Sequence, residues 1–338
     1  MRKQTLRLLV AVTVAAGCTA EAADTPYQVV KEIQIGGTGG WDYITVDPAA
    51  HRVYVSHATK IVVADTESGM IVGEIADTPG VHGIALAPDL GLGFTSNGRD
   101  NTSTIVDLKT LKPVNKVMTG GNPDAIMYVA ALQEVYTFNG QGQSATVFEP
   151  KTGKVLATIP LMGKPEAPAF DAEAKRIYVN VEDKNSIAVI DAVAHTVVAS
   201  WPLTGCDEPT GLAFDARRHR LFSVCSNMVM TAVDSQSGRV VATAAIGARS
   251  DGAAFDPGTG YIFSSNGEGT LTVATLENNT IKVVQTAPTQ ASARTIALDP
   301  VTHRVYLPAA TMSPAAAGQR PQPVPDSFKV LVLGTSQR

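Results

Sequence analysis

Short apolar stretches alternate with polar turns along the chain, and the alternation repeats. One unit contains residues 44–48, continues through the β-branched stretches 52–56 and 61–65, turns at Ser68-Gly69 and ends with 71–75. Runs of Val, Ile, Thr and Tyr bounded by Asp, Ser and Gly are typical of β-strands joined by tight turns. The pattern therefore predicts an all-β protein built from units of four short strands.

The same unit recurs seven times. The first strand of each unit ends at an equivalent anchor residue, and successive anchors lie 40 to 44 residues apart. These anchors are Asp47, Ala87, Val129, Asp171, Asp215, Asp256 and Asp299. A period of about 42 residues is typical of a four-stranded propeller blade. We therefore predict a seven-bladed β-propeller with four-stranded blades, as a single domain over residues 23–338.

The seventh unit supplies three strands, at 293–298, 304–308 and 328–333. We expect the fourth strand from residues 28–35, because pairing the mature N-terminal strand into the C-terminal blade would close the ring and remove an exposed sheet edge. Residues 311–327 carry four prolines and interrupt the repeat. They predict a loop insertion in the last blade, either a flexible surface segment or a flap over the channel.

The N-terminal residues predict export. Three basic residues precede the apolar stretch 8–16, which is too short to span a bilayer. Small side chains at Ala20 and Ala22 predict that residues 1–22 are a signal peptide. The mature chain would be periplasmic or secreted, and lipid attachment through Cys18 is the alternative. We find no other segment that could span a membrane, and we expect a monomer.

Charge and cysteine content narrow the picture further. The formal net charge is −4, which gives no overall attraction to nucleic acid or an anionic membrane. After cleavage Cys206 and Cys225 would remain, at the same face and on neighbouring strands of the fifth blade. Export would allow a disulfide between them. Free buried thiols are the alternative.

Several strands share a more specific pattern. Residues 52–56, 176–180 and 304–308 alternate aliphatic residues with Tyr after an Arg, and residues 186–191 form a matching third strand. These segments resemble the YVTN family of β-propellers, and the mature chain as a whole resembles its YncE-like exported bacterial members. The resemblance implies a propeller without a shared catalytic motif, and it suggests DNA binding because some members are associated with it.

One face of the predicted propeller is a candidate binding surface. Loops that enter the first strand and loops that leave the second strand lie around the same channel mouth. The surface could bind a polar or cationic small molecule, a metal ion or a protein, and solvation alone could also explain its polarity. The residues placed there are Trp41, Asp42, His57, His82, Arg99, Asp124, Asn139, Glu166, Glu182, Glu208, Asn227, Asp251, Asn266 and Arg294.

Three functions are compatible with this surface. The first is a non-catalytic binding or scaffold protein. The second is a lactonase- or lyase-like enzyme using His57, His82 and Arg294, since the two histidines come from adjacent blades and could converge. With Asp42 the same histidines could instead bind a metal ion. The third, single-stranded DNA binding, ranks lowest because carboxylates outnumber basic residues. No cofactor-binding motif is present, so we predict no cofactor.

Overall fold

The computed structural model describes residues 26–314 and 321–335. The predicted signal peptide and Cys18 lie outside the described residues, as do positions 315–320 of the proline-rich insertion. Within the described ranges no helix is long and apolar enough to cross a membrane. The local alternation of apolar and polar residues instead yields short strands separated by tight turns.

The strands assemble into seven antiparallel blades of four strands each, which confirms the predicted seven-bladed β-propeller. Blade 7 begins with β1 (Tyr27–Gln34). Blade 1 contains β2 (Ile44–Asp47), β3 (Arg52–His57), β4 (Lys60–Asp65) and β5 (Ile71–Ile75). Blade 2 contains β6 (Val81–Ala87), β7 (Leu92–Asn97), β8 (Thr102–Asp107) and β9 (Lys112–Met118). Blade 3 contains β10 (Pro123–Val129), β11 (Glu134–Asn139), β12 (Ser144–Phe148) and β13 (Val155–Pro160).

The remaining blades follow the same order. Blade 4 contains β14 (Pro165–Asp171), β15 (Arg176–Val181), the short 3₁₀ helix Glu182–Lys184, β16 (Ser186–Asp191) and β17 (Thr196–Pro202). Blade 5 contains β18 (Pro209–Asp215), β19 (Arg220–Cys225), β20 (Val229–Asp234) and β21 (Val240–Ala245). Blade 6 contains β22 (Ser250–Phe255), β23 (Ile262–Asn266), β24 (Thr270–Glu277) and β25 (Thr280–Pro288). Blade 7 is completed by β26 (Ala297–Asp299), β27 (Arg304–Ala309) and β28 (Lys329–Thr335).

Blade 7 combines strands from both ends of the described chain. β1 pairs antiparallel with β28, with Tyr27 opposite Thr335 and Gln34 opposite Lys329. Ile33 of β1 is 1% exposed and belongs to the apolar cluster between blades 7 and 1. β1 therefore adds apolar surface to the core as well as backbone hydrogen bonds to the sheet.

The recurring tyrosine of the second strands explains part of the packing between blades. Tyr54, Tyr136, Tyr178 and Tyr306 are fully buried. The Tyr136 hydroxyl donates to the carbonyl of Ala192 at 3.0 Å, and that of Tyr178 donates to the carbonyl of Ser235 at 3.1 Å. In Tyr136 and Tyr178 the ring therefore fills the core while the hydroxyl pairs with a turn in the next blade.

Candidate functional site

One position in each blade recurs where the chain enters the innermost strand. It lies five residues before the anchor, at the start of the innermost strand. In blades 2 to 6 it falls in a β-bulge between the first and second strands. A bulge re-aims a side chain relative to the regular alternation of the strand. We call the seven residues at this position the mouth ring: Asp42, His82, Asp124, Glu166, Thr210, Asp251 and Arg294.

His82 joins three consecutive blades within the mouth ring. Its Nδ1 lies 2.7 Å from Asp42 Oδ2 and 3.4 Å from Asp124 Oδ1. Burial alone would lower the pKa of His82, but the Asp42 hydrogen bond and the Asp124 charge raise it to about 9. A Cβ on Gly98 would lie 2.5 Å from His82 Nε2, so this glycine leaves room for the ring. His82 is therefore an imidazolium at neutral pH, held between two carboxylates.

Arg294 occupies the equivalent position in blade 7. Its guanidinium lies 3.2 Å from Asp42 Oδ1, is paired with Asp251 and donates to the carbonyl of Trp41. Burial raises the pKa of Asp42, but the hydrogen bond with His82 and the charge of Arg294 more than offset this, so the pKa falls below its usual value. Asp42 is consequently ionised and paired through both oxygens.

Asp124 differs from Asp42. The residue is 9% exposed. Its carboxylate accepts no hydrogen bond from any described residue, and the 3.4 Å approach of His82 is its one ion pair there. Burial and the neighbouring Asp42 charge raise the pKa of Asp124 to about 7. This carboxylate therefore lacks the donors that a buried anion normally has.

Glu166 continues the mouth ring in blade 4. Lys164 Nζ lies 2.8 Å from Glu166 Oε1 and is also paired with Glu182. Burial and the Asp124 charge raise the pKa of Glu166 to about 8, although Lys164 opposes the rise. Burial likewise raises the pKa of Asp251, and Arg294 offsets only part of that increase. One lysine shared between two glutamates leaves this side of the mouth ring short of positive charge.

Blade 5 contributes an uncharged residue to the mouth ring. Its ring position is Thr210, whose hydroxyl lies 3.1 Å from the carbonyl of Ser250. Glu208, which we expected at this face, lies on an exposed loop two residues earlier. The same blade contains a disulfide between Cys206 and Cys225, whose Cα atoms are 5.4 Å apart.

The channel below the mouth ring is mostly apolar. Its cavity measures about 320 Å³ and is lined by residues in or just before the innermost strand of all seven blades. Tyr43, Asp251 and Thr295 line the cavity and lie in or next to the mouth ring, so the two regions are continuous. On the outer side, Asp42, His82 and Arg294 line a separate surface depression together with Trp41 and Arg99.

His57 is buried in surroundings that differ from those of His82. His57 ends β3, is 3% exposed and packs against Phe328, with the ring centroids 4.9 Å apart. A Cβ on Gly37 would lie 2.9 Å from its ring, so the glycine-rich loop covers this histidine closely. Burial and the Lys60 charge lower its pKa. His57 therefore lies beneath a loop, and the candidate ligand atoms grouped with His82 come from Asp42 and Asp124 rather than from His57.

Two predicted asparagines also lie in the core rather than on the face. Asn139 donates to Ser144 Oγ and Thr146 Oγ1 at 3.1 and 3.0 Å, and Asn266 donates to Thr270 Oγ1 and Thr272 Oγ1, both at 3.0 Å. Both asparagines are fully buried. Their amides thus connect neighbouring strands of one blade and are not presented to a ligand.

The other predicted residues take varied positions. Arg99 and Asn227 are exposed on loops, and Glu182 is half-buried beside Lys164. Trp41 stacks on Phe328, with centroids 4.9 Å apart, while its backbone faces Arg294. Trp41 therefore has its ring packed on Phe328, while its carbonyl accepts a hydrogen bond from Arg294.

Asp42, His82 and Asp124 are the described residues that could hold a metal ion. One ligand atom from each lies within 4.8 Å of the others. A metal would have to displace the proton that His82 shares with the carboxylates, and it would face the Arg294 guanidinium on Asp42. The three residues therefore fit a metal ion poorly while His82 is protonated.

Comparisons with known proteins define the fold class. No family model and no curated protein matches the chain. Hydrazine synthase from Kuenenia stuttgartiensis matches with a TM-score of 0.69 and 16% identity, covering 80% of this chain and 92% of that chain. The WD40 β-propeller domain of Doa1 matches with a TM-score of 0.72 and 14% identity, covering 92% and 98%.

A chain of the mitotic checkpoint complex matches with a TM-score of 0.76 and 11% identity, covering all of both chains. These likenesses show the fold alone, which is a WD40-like β-propeller. Solved chains that match number 1830, so the fold does not select one function.

Proposed function

We propose that this chain is an exported, non-catalytic binding propeller of the YncE-like YVTN type, and that its mouth ring binds a small cationic ligand. The leader pattern supports export to the periplasm or beyond. The disulfide between Cys206 and Cys225 is compatible with that oxidising compartment. The repeated strand pattern, such as that of residues 52–56, supports the YVTN resemblance.

The charge of the mouth ring is the observation that supports a cationic ligand. Four of its seven residues are carboxylates, and two are cations. When all four carboxyls are ionised, above the raised pKa values of Asp124 and Glu166, the mouth ring has a surplus of two negative charges, and adding the neighbouring Lys164 and Glu182 leaves that surplus unchanged. Asp124 lies next to Glu166 in the mouth ring and accepts no hydrogen bond from the described residues. A bound cation would offset the repulsion among these buried carboxylates.

Titration calorimetry with small ions tests this proposal. We expect methylammonium to bind at one site near pH 8 and citrate not to bind. Asp124→Asn should weaken methylammonium binding about tenfold, because it removes a charge-assisted hydrogen bond of about 1.5 kcal/mol. Asp207→Asn is the matched control, since Asp207 is exposed outside the mouth ring. Binding of citrate, or equal weakening by both substitutions, would overturn the proposal.

A propeller enzyme is the second candidate. The observation in its favour is the His82–Asp42 pair at 2.7 Å, which could act as a general acid. Turnover of a lactone panel that His82→Gln abolishes would support a lactonase- or lyase-like activity. Complete absence of turnover in the wild-type protein would exclude activity on that panel.

Single-stranded DNA binding, which the YncE-like resemblance suggests, has less support. Such sites combine a basic groove with exposed aromatic rings. Here the mouth ring has surplus negative charge, and Trp41 is stacked on Phe328. We therefore do not assign this function.

A further inference from the structure

The mouth ring lies at the end of a channel whose walls are apolar. Ile84, Ala125, Met127, Leu212, Ala253 and Ile296 contribute to the cavity of about 320 Å³. Among the described residues that line it, Asp251 of the mouth ring is the one charged side chain. The charged groups are therefore confined to the mouth ring, and the cavity below them suits an apolar part of a ligand.

Tyr43 marks the boundary between these two regions. It lines the channel and follows Asp42 directly in the sequence. Burial, and then the charges of Asp124 and Glu166, raise the pKa of Tyr43 well above its usual value. The phenol therefore remains protonated and lies within the field of the carboxylates. A ligand that contacts the mouth ring from inside the channel would also contact Tyr43.

Several wall residues are not fully covered by the protein. Met127, Ala253 and Ile296 retain partial exposure, and as members of the cavity wall they face its interior. Apolar surface that is left in contact with water inside a concave site is a common mark of ligand binding. Its burial would add affinity in proportion to the area that the ligand covers.

The mouth ring indicates which atoms of the ligand carry the charge. Asp42 is already paired through one oxygen with His82 and through the other with Arg294. Asp124 accepts no hydrogen bond from the described residues, and its one ion pair among them is the 3.4 Å approach of His82, so a ligand could supply the hydrogen bonds that its carboxylate lacks. A primary ammonium group brings three N–H donors, which suits a mouth ring with several carboxylates.

We propose that the ligand is an organic amine whose ammonium group binds at Asp124 and the adjoining ring carboxylates while its apolar body occupies the channel. This inference rests on the proposed function and narrows it to a substrate class. The ammonium group would donate hydrogen bonds to the carboxylates of the mouth ring, and the apolar body would cover the partly exposed channel wall. A compact inorganic cation could do the first but not the second.

A homologous series of n-alkylammonium ions tests the inference by titration calorimetry. Affinity should rise about fourfold for each added methylene, until the chain fills the channel. The diamine 1,6-diaminohexane should bind less tightly than hexylammonium, because its second charge would enter apolar surroundings. Methylammonium serves as the reference that contacts only the mouth ring.

Two channel variants locate the apolar body. Ala253→Leu, on a partly exposed part of the wall, should abolish the gain from chain length while methylammonium affinity stays within about twofold. Ala167→Leu tests the same effect from another blade if Ala253→Leu fails to fold. Ala130→Leu is the matched control, because Ala130 is exposed on a turn outside the channel.

The outcomes separate the two proposals. Binding of methylammonium without any gain along the series would overturn the channel proposal and leave cation binding by the mouth ring intact. Tighter binding of Zn²⁺ or Mg²⁺ than of hexylammonium would also overturn it, in favour of a metal site at Asp42, His82 and Asp124. Failure of every cation to bind would overturn both.

Discussion

Replacing Asp124 by Asn should make the protein more stable at pH 8. Burial and the Asp42 charge raise the pKa of Asp124 from 3.8 to about 7. Because the folded state holds this proton more tightly than the unfolded state, ionisation destabilises the fold. The penalty is nearly absent below pH 4, grows between pH 4 and pH 7, and is constant above that.

The size of the penalty follows from the same values. A rise from 3.8 to about 7 corresponds to about 4 kcal/mol at most. Water at the channel mouth should reduce the realised value to about 1–3 kcal/mol. Asn retains the shape and can still donate or accept a hydrogen bond, so the substitution removes mainly the charge. A residue that lowers stability in this way is typical of a binding site.

Urea denaturation at pH 4, 6 and 8 measures this effect. The free energy of unfolding of Asp124→Asn should exceed that of the wild type by about 1–3 kcal/mol at pH 8 and converge with it near pH 4. Asp207→Asn, on an exposed loop, should show no such pH dependence. An Asp124→Asn variant no more stable than the wild type at pH 8 would refute this account of the mouth ring.

Three further substitutions have defined outcomes. Asn139→Ala should lower the free energy of unfolding by about 1–3 kcal/mol in urea denaturation, because it leaves buried hydroxyls without their partner. Asn227→Ala should lower it less, because the two hydrogen bonds of the Asn227 side chain are exposed to water. Ile33→Ala in β1 should lower the free energy of unfolding by about 2–4 kcal/mol in the same assay. Val30→Ala should lower it much less, because Val30 is 42% exposed. Equal losses would contradict the packing of β1. His82→Gln should lower the free energy of unfolding by about 1–3 kcal/mol at pH 6. The reason is that a histidine whose pKa is raised from 6.5 to about 9 stabilises the folded state fully below pH 6.5. The difference from the wild type should vanish as pH rises through 9. A difference that grew with pH would contradict the ion pairs of His82.

The blades were predictable from sequence because their signals are local. Alternating apolar residues and turn residues recur with each anchor, so the seven first strands could be placed before the structure. The loops that enter the first strands were predicted to carry six of the seven ring residues, all except Thr210. Thr210 was missed because a longer polar loop, containing Glu208, precedes its strand. Nothing in the sequence shows that the β-bulge contains Thr210 and not Glu208.

The remaining differences arise from contacts that are distant in sequence. His57 is buried by Phe328, more than 250 residues later. Asn139 and Asn266 end their strands like surface residues, but Ser and Thr side chains on the adjacent strands enclose them. Lys164 was overlooked because its importance depends on Glu166 and Glu182 meeting beside it. Periodicity fixes which strand a residue occupies, and tertiary packing decides whether its side chain reaches a ligand.

The pH dependence of methylammonium affinity tests cation binding by the mouth ring most directly. The pKa values of Asp124 and Glu166, about 7 and about 8, mean that both carboxyls are mostly protonated at pH 6. Titration calorimetry should therefore show affinity about tenfold higher at pH 8.5 than at pH 6, with protons released on binding. Affinity that is independent of pH, or higher at pH 6, would contradict the central claim.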